Sequence, residues 1–296
     1  MLDRRHFVRG AAALSAGLVV FPGSSARAQS DGTPESGTPE AGTPVVPVDI
    51  STLPLKNEGQ LTIHTDQPVF PPWFIDNDPS NGQGFEGALA AAIAERLGFT
   101  PEQVEWGYTS FNASYAPGPK EFDFYITEVS ITEERDRAVD FSDPYYESPL
   151  TVVTAEGSPV TEASSLDELR QFSYATQVGT TWFSYIVDVI QPESDPLVLD
   201  TTSDALTQLA NGAVDAVVLD LETSMFVTTE QFEGLVIAGV LPGDPPGDGM
   251  GMVFEEGSAM VPYVNSALAS LIADGTRDAL VEEWLPQPEE LPQFSE

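Results

Sequence analysis

The sequence predicts an α/β protein of two lobes, each a mostly parallel β-sheet flanked by helices, with a cleft between the lobes. Short apolar runs alternate along the chain with amphipathic runs of helical period, which is the pattern of strands interleaved with helices. These runs form two successive blocks, and the end of the chain returns to the first. With 296 residues, 41% of them hydrophobic, the chain is long enough to bury two such cores.

The first block contains three predicted strands and one long helix. Residues 61–65 alternate in period two before a proline-rich turn, which predicts a strand. Apolar residues recur every fourth position over 85–97 and Gly98 follows, which predicts a helix that ends there. Further strands are predicted at 104–106 and 122–126.

The second block repeats the alternation, and a third short group closes the chain. We predict strands at 151–153, 174–178, 197–199 and 215–219, and helices at 181–190 and 203–212. A strand at 249–254 and helices at 261–273 and 278–284 complete the chain. We therefore assign residues 53–149 and 243–296 to lobe 1 and residues 150–242 to lobe 2.

The N-terminus is typical of an exported protein. Arg4 and Arg5 precede an apolar stretch from Gly10 to Phe21, and an Ala-Arg-Ala cleavage site ends at Ala28. The paired arginines resemble the twin-arginine export signal, so we assign residues 1–28 to a signal peptide of that type. The stretch is too short to span a bilayer, which takes about 20 residues.

A proline-containing repeat follows the signal. Its five-residue unit, Gly-Thr-Pro-Glu-Ser/Ala, begins at Gly32 and has no apolar side chain large enough to form a core. We expect residues 29–52 to form a disordered tether, with the folded part beginning near Leu53.

Composition excludes several classes of function. A net charge of −36 repels phosphate backbones and anionic lipid headgroups, so we expect no nucleic-acid binding. The chain has no cysteine, which excludes disulfides, thiolate metal sites and a lipid-modified N-terminal cysteine. With two histidines in all, one of them in the signal, no zinc site is expected, and we predict no metal and no cofactor.

Four motifs carry a family resemblance. They are Ser130–Arg135 (SITEER), Val139–Tyr146 (VDFSDPYY), the Gly179–Thr181 turn and Asp220 at the end of an apolar run. With these motifs, residues 58–286 resemble the family 3 (polar amino acid) periplasmic solute-binding proteins of ABC importers. The resemblance implies the two-lobe type II periplasmic-binding fold and a receptor that closes around an amino acid.

The resemblance also implies roles for individual residues. The guanidinium of Arg135 would bind the ligand's carboxylate, helped by Thr180 and Thr181 at a helix N-terminus, where backbone N–H groups favour an anion. Asp220 would bind the ligand's ammonium. The remaining expected contacts are Ser130, Thr127 and Asp66 as polar groups and Phe70 and Phe111 as aromatic walls.

Three of these assignments have simpler alternatives. Arg135 could form a surface ion pair with Glu133 or Asp136, and Asp220 could serve only as a helix cap. Glu128 stands where members of the family commonly have a small residue. If its carboxyl points into the cleft, it favours a cationic ligand and repels glutamate or aspartate; otherwise it faces solvent or pairs with Lys120.

The expected function is binding, outside the cytoplasm, of a polar or basic amino acid and its delivery to ABC permease subunits by a monomeric protein without catalytic residues. One alternative is an enzyme on the same scaffold, similar to periplasmic cyclohexadienyl (arogenate/prephenate) dehydratases, with Glu128 or Asp66 as the acid. Another is a sensory module that feeds no transporter.

Overall fold

Two five-stranded β-sheets organise the chain. The computed structural model describes residues 49–243, 247–286 and 290–296. The predicted signal peptide, 1–28, and most of the predicted tether lie outside these residues. The last part of that tether is described, and there the expectation of disorder is wrong: Ile50–Thr52 forms a 3₁₀ turn capped by the side chain of Asp49.

The strands and helices follow the predicted alternation. The strands are β1 Leu61–Thr65, β2 Val104–Tyr108, β3 Phe124–Tyr125, β4 Asp140–Phe141, β5 Leu150–Ala155, β6 Tyr174–Gln177, β7 Leu197–Leu199, β8 Ala216–Asp220, β9 Leu235–Val240 and β10 Val253–Phe254. The helices are α1 Phe85–Leu97, α2 Phe111–Ser114, α3 Glu133–Asp136, α4 Leu166–Leu169, α5 Thr181–Tyr185, α6 Thr202–Ala210, α7 Leu221–Phe226, α8 Val261–Ala273 and α9 Thr276–Trp284. Four 3₁₀ segments (Ile50–Thr52, Pro79–Asn81, Pro101–Gln103, Pro159–Glu162) and two π-helical turns (Ile186–Ile190, Val227–Gln231) complete the described elements.

Several predicted boundaries are confirmed and others are corrected. Helix α1 ends where Gly98 adopts a left-handed conformation, and α8 spans the predicted residues. The helix predicted at 181–190 is instead a short α-helix that continues as a π-helical turn. The strand predicted at 249–254 is ordered as a strand only at Val253–Phe254.

Each sheet contains one strand that opposes the direction of the other four. The first sheet has the order β2-β1-β3-β10-β4, with β10 antiparallel to both neighbours. The second has the order β7-β6-β8-β5-β9, with β5 antiparallel to both neighbours. β5 and β10 are the first strands after the chain passes from one sheet to the other, so each reversal marks a crossing between lobes.

Both sheets are buried on the faces that carry helices. In lobe 1, α1, α8 and α9 pack together over a core that includes Leu61, Ile63 and Phe254. In lobe 2, Val152 packs on one face of the sheet and its neighbour Val153 on the other. This alternation follows from the two-residue period of a strand and agrees with the burial of β5, threonines included, from Leu150 to Thr154.

The last residues of the chain, around Phe294 and Ser295, pack on lobe 2, so the assignment of all of 243–296 to lobe 1 is corrected there. The side chain of Phe294 is buried in the core of lobe 2, and its N–H donates to Val240 O at 3.0 Å. Ser295 O accepts from the N–H of Leu166 at 3.0 Å. The chain therefore crosses between the lobes a third time, because Phe294 supplies an apolar side chain that covers the second sheet.

Candidate ligand-binding site

A cavity of about 420 Å³ lies between the lobes, within the size range of small-molecule sites. It forms where strands of both sheets end, since the carboxyl ends of parallel strands meet at one edge of a sheet. Nine of the ten predicted site residues line it: Asp66, Phe70, Phe111, Thr127, Glu128, Ser130, Thr180, Thr181 and Asp220. Arg135 is the exception.

The floor of the cavity brings together Asp220 and Glu128, one from each lobe. Asp220 is 1% exposed and caps α7, with Oδ1 accepting from the N–H of Thr223 at 2.8 Å. The hydroxyl of Thr223 in turn lies 3.5 Å from Glu128 Oε2. The helix-cap alternative for Asp220 is thus correct but incomplete, because the same side chain also lines the cavity.

Glu128 reaches the cavity because its backbone is left-handed. Its φ is +48°, a conformation that costs about 1–2 kcal/mol in a residue with a side chain. In this geometry its N–H donates to Oε1 of the buried Glu86 at 2.7 Å. The alternative pairing with Lys120 does not occur, since the ammonium of Lys120 donates to the carbonyl oxygens of Ala113 and Ala116.

Four acidic side chains meet around this point: Glu86, Asp220 and Glu222 are buried and Glu128 is half-buried. Burial is the main cause that raises the pKa of Glu86 to about 7 and that of Glu222 to about 7, with the charge of Asp220 adding to both. Burial and the neighbouring Asp220 raise the pKa of Glu128 well above its usual range. Such a group of carboxyls is costly when charged and would be stabilised by a cation.

Hydroxyl groups support two of these acids. Tyr145 donates to Glu86 Oε1, and Tyr146 donates to Glu222 Oε1 at 2.7 Å. Ser148 donates to the other oxygen of Glu222. The acids that face the cavity have less support: Asp220 Oδ2 has no hydrogen-bond partner within the described residues.

Arg135 is buried beside the cavity and is bonded to the protein itself. Its two terminal nitrogens donate to Ser130 O at 2.7 Å and to Gly179 O, in the other lobe, at 2.8 Å. The guanidinium carbon lies 4.5 Å from the ring centre of Tyr115 and 5.4 Å from that of Phe111, which is cation–π geometry. The alternative of a surface ion pair is wrong, because the residue is 6% exposed.

The turn before α5 fits closely against lobe 1. Gly179 has φ +76°, and a Cβ built there would lie 2.4 Å from Asn112 Oδ1 and 2.5 Å from the hydroxyl of Tyr115. Thr181 Oγ1 lies 3.2 Å from Ser130 Oγ. Glycine allows this left-handed turn and this close approach of the two lobes without displacing either side chain.

Asp66, Thr127, Phe70 and Phe111 lie on the walls of the cavity. Thr127 is held by Thr65 through their hydroxyls at 3.2 Å. Burial raises the pKa of Asp66, although backbone N–H groups of Gln67 and Phe111 partly offset the effect. Phe70 and Phe111, both half-buried, present apolar surface to the same space.

Sequence reasoning missed the residues that support the site from behind. From the sequence, no role is assigned to Glu86, Asn112, Tyr115 or Thr223. The Asp-x-x-Thr spacing of a helix cap is the one local signal for Thr223, while the positions of Glu86 and Tyr115 depend on contacts with distant segments.

The charge of the lining is one-sided. Five acidic residues line the cavity, and no lysine, arginine or histidine in the described part of the chain does so. They are Asp66, Glu128, Glu147, Asp200 and Asp220.

Among the described residues, no three His, Cys, Asp or Glu side chains are arranged to hold a metal ion. Every helix within 49–243, 247–286 and 290–296 is too short or too polar to span a bilayer.

Comparisons with known proteins agree with this architecture. The sequence profile of the bacterial extracellular solute-binding proteins, family 3, matches residues 61–287. "ABC transporter arginine-binding protein 1" of Escherichia coli K12 is 29% identical over 224 residues, 74% of this chain and 88% of that protein.

Solved structures give the same result. An ancestral arginine-binding protein bound to arginine is 30% identical and superposes with a TM-score of 0.62 over 77% of this chain and 99% of that one. An ancestral amino acid-binding protein described as a precursor of cyclohexadienyl dehydratase is 26% identical, with a TM-score of 0.62 over 77% of this chain and 96% of that one.

Proposed function

This chain belongs to the bacterial extracellular solute-binding proteins of family 3, and from that premise we propose that it captures a cationic amino acid between its lobes and delivers it to an ABC transporter. The proposal that the ligand is positively charged rests on one observation: Glu128 and Asp220 lie close together on the cavity wall. Two carboxylates this close are stable together only with a proton or a cation between them.

The rest of the cavity suits the remainder of such a ligand. Phe70 and Phe111 supply apolar surface for a methylene chain. The ligand's carboxylate would be received at the N-terminus of α5, by Thr180 and Thr181, and by Arg135 once its guanidinium exchanges Gly179 O for the ligand. An acidic side chain would meet five acidic residues and no basic side chain of the described part of the chain in the lining, and is disfavoured.

The family and the N-terminal sequence together support a location outside the cytoplasm. The protein works outside the cytoplasm, exported by a twin-arginine signal over residues 1–28 and held off the membrane by the proline-containing repeat. It acts as a monomer, and its lobes close on the ligand and present it to permease subunits. Closure is supported by the cross-lobe bonds of Arg135 and Tyr115 to Gly179 O.

We propose that the protein binds its ligand without converting it, because the Escherichia coli relative described above is named as a binding protein. The enzymatic alternative is kept because one structural relative is described as a precursor of cyclohexadienyl dehydratase. Glu128, whose pKa burial raises well above its usual range, would be its candidate acid.

The test is a set of titrations by calorimetry. Purified protein is titrated with arginine, lysine, glutamine and glutamate, and the bound fraction is then recovered and analysed by mass spectrometry. We expect arginine or lysine to bind most tightly and to be recovered unchanged. Preferential binding of glutamate would refute the proposed ligand charge, and conversion of arogenate or prephenate incubated with the protein would establish the enzymatic alternative.

A further inference from the structure

We propose that the ligand-free protein keeps a proton between the carboxyl groups of Glu128 and Asp220, and that a cationic ligand expels this proton to solvent when it binds. The inference rests on the proposed function, because it concerns the same site and a ligand of positive charge. It adds a dependence of capture on pH: the ligand is held near neutral pH and released as the surroundings become acidic.

The contact between these two carboxyl groups lacks a donor unless one of them is protonated. Glu128 and Asp220 line the same cavity from opposite lobes and lie close enough to share a hydrogen bond. Asp220 Oδ2 is buried and receives no hydrogen bond from the described residues. A buried oxygen without a donor is costly, and two carboxylates in contact repel each other. One shared proton removes both costs, because Glu128 then donates to Asp220.

The groups of Thr223 between the two acids do not fill this need. Its hydroxyl accepts from the indole N–H of Trp73 at 3.0 Å, which leaves it one proton to donate, and it lies 3.5 Å from Glu128 Oε2. The N–H of Thr223 donates to Asp220 Oδ1, the other oxygen of that carboxyl group. The contact between Asp220 Oδ2 and Glu128 is therefore left to a titratable proton.

The titratable groups around this pair favour its protonated form. They are three further acids and three phenols: Asp66, Glu86, Glu222, Tyr125, Tyr145 and Tyr146. Burial and the surrounding negative charges raise the pKa of Glu128 well above its usual range. Burial also raises the pKa of each of the three phenols, so they stay neutral at pH 7 and add no charge.

The basic side chains beside these groups in the described chain, Arg135 and Arg277, are bonded elsewhere. Arg135 donates to Ser130 O and Gly179 O. Arg277 donates to Tyr145 O and to the exposed aspartate that follows it. Neither guanidinium is hydrogen-bonded to Glu128 or Asp220, so the place of their counter-ion is open to a proton or to the cation of a ligand.

Proton and ligand compete for this place. A positive charge that enters between the two carboxyl groups lowers their pKa values, so the proton passes to solvent as the ligand enters. Release of one proton per ligand makes the apparent affinity change by about tenfold per pH unit. The affinity rises with pH as long as the ligand-free pair is protonated, and it levels off once the pair has lost its proton.

Calorimetry in two buffers counts the released proton. Arginine is titrated into the purified protein at about pH 6 in phosphate and in imidazole, and the difference in binding heat gives the number of protons exchanged, because the two buffers differ in ionisation enthalpy. We expect release of about one proton per arginine, and an affinity up to about tenfold higher at about pH 7 than at about pH 6. Equal heats in the two buffers, or uptake of a proton, overturn the inference and leave the proposed function standing.

Glu128→Gln tests whether the proton belongs to this pair. The amide cannot ionise, so we expect this variant to bind arginine with release of much less than one proton. Glu282→Gln, an exposed change on α9, should release as many protons as wild type. Unchanged release in Glu128→Gln would assign the proton to another group and contradict the inference. Asp220→Asn, which keeps the cap of α7, serves the same comparison if Glu128→Gln fails to fold.

Infrared spectroscopy tests the proton without a ligand. At about pH 7 the ligand-free wild type should show the carbonyl stretch of a protonated carboxyl group, and Glu128→Gln should lose part of that band. If the band is absent, or the same in both proteins, the inference is wrong whether or not arginine binds. If the band behaves as expected but neither arginine nor lysine binds, the proposed function is wrong and the exchange falls with it.

Discussion

The indole Nε1 of Trp73 donates a hydrogen bond to the hydroxyl of Thr223 at 3.0 Å, and this bond joins lobe 1 to lobe 2. Trp73 is 1% exposed and packs in the core of lobe 1, while Thr223 stands in the first turn of α7. The same hydroxyl lies near Glu128 Oε2, so the bond connects the packing of one lobe to the floor of the cavity.

The first prediction follows from this bond. Thr223→Val keeps the side-chain shape but removes the acceptor, so the closed arrangement buries an unpaired indole N–H. We expect the closed state to lose about 1–3 kcal/mol, and ligand affinity to fall about 5- to 150-fold. Calorimetry measures the affinity, and Thr229→Val, an exposed change in the same lobe, is the control. Wild-type affinity in Thr223→Val would show that closure does not depend on this bond.

The second prediction concerns Asp220. Asp220→Asn retains an oxygen to cap α7 through the N–H of Thr223, so the fold should persist with little change in melting temperature. It removes the charge that faces the ligand's ammonium, and we expect a loss of about 2 kcal/mol or more, which is about 30-fold. The control is Asp188→Asn, which changes an exposed carboxylate in the same lobe. Equal arginine affinity in both variants would remove Asp220 from the site.

The third prediction tests the charge selectivity of Glu128. Glu128→Gln should weaken arginine by about 1–2 kcal/mol and relax the discrimination against glutamate. Both ligands are titrated at two salt concentrations, with Glu147→Gln as the control at the exposed rim of the cavity. Salt should reduce the effect of the rim variant much more than that of Glu128→Gln, because buried charges are less screened. No change in Glu128→Gln would show that its carboxyl does not reach the ligand.

The fourth prediction concerns the pH dependence of stability without ligand. The pKa of Glu86 is raised from 4.5 to about 7, so the folded state holds a proton that the unfolded chain releases above about pH 4.5. The contribution of Glu86 is therefore fully present below about pH 4.5 and is lost as pH rises through about 7, by about 3 kcal/mol.

Glu86→Gln should remove this contribution to the slope, since the amide oxygen still accepts from Tyr145 and from the N–H of Glu128. Melting temperatures measured from pH 5 to pH 8 should fall less steeply in the variant than in wild type. Glu282→Gln removes the same charge from an exposed position and should leave the slope unchanged. Identical slopes for Glu86→Gln and wild type would contradict the assignment.

Much of the fold was predictable because its signals are local. The four-residue recurrence of apolar side chains before Gly98 is sufficient to define α1, and the apolar run of β8 from Ala216 to Leu219 is typical of a strand covered on both faces. The π-helical turn at Ile186–Ile190 was not predictable, since its period is too close to that of an α-helix over five residues. The placement of Phe294 on lobe 2 has no local signal, because it depends on a partner strand more than fifty residues away.

The candidate site divides in the same way. Nine of the residues that the family resemblance implied for the site line the cavity, where the ends of strands supply side chains to one edge of each sheet. The resemblance did not identify Tyr115 or Thr223, which act through contacts with the opposite lobe or from behind the lining.

The sequence by itself therefore determined the alternation of strands and helices, the acidic character of the protein and the identity of the residues at the strand ends. Those properties depend on periodicity, composition and short motifs, which act over a few residues. Tertiary structure alone decided that Arg135 bonds to Gly179 O and that the left-handed backbone of Glu128 brings its carboxyl toward Asp220. These arrangements arise only when two lobes approach, because the groups that meet are separated by more than forty residues along the chain.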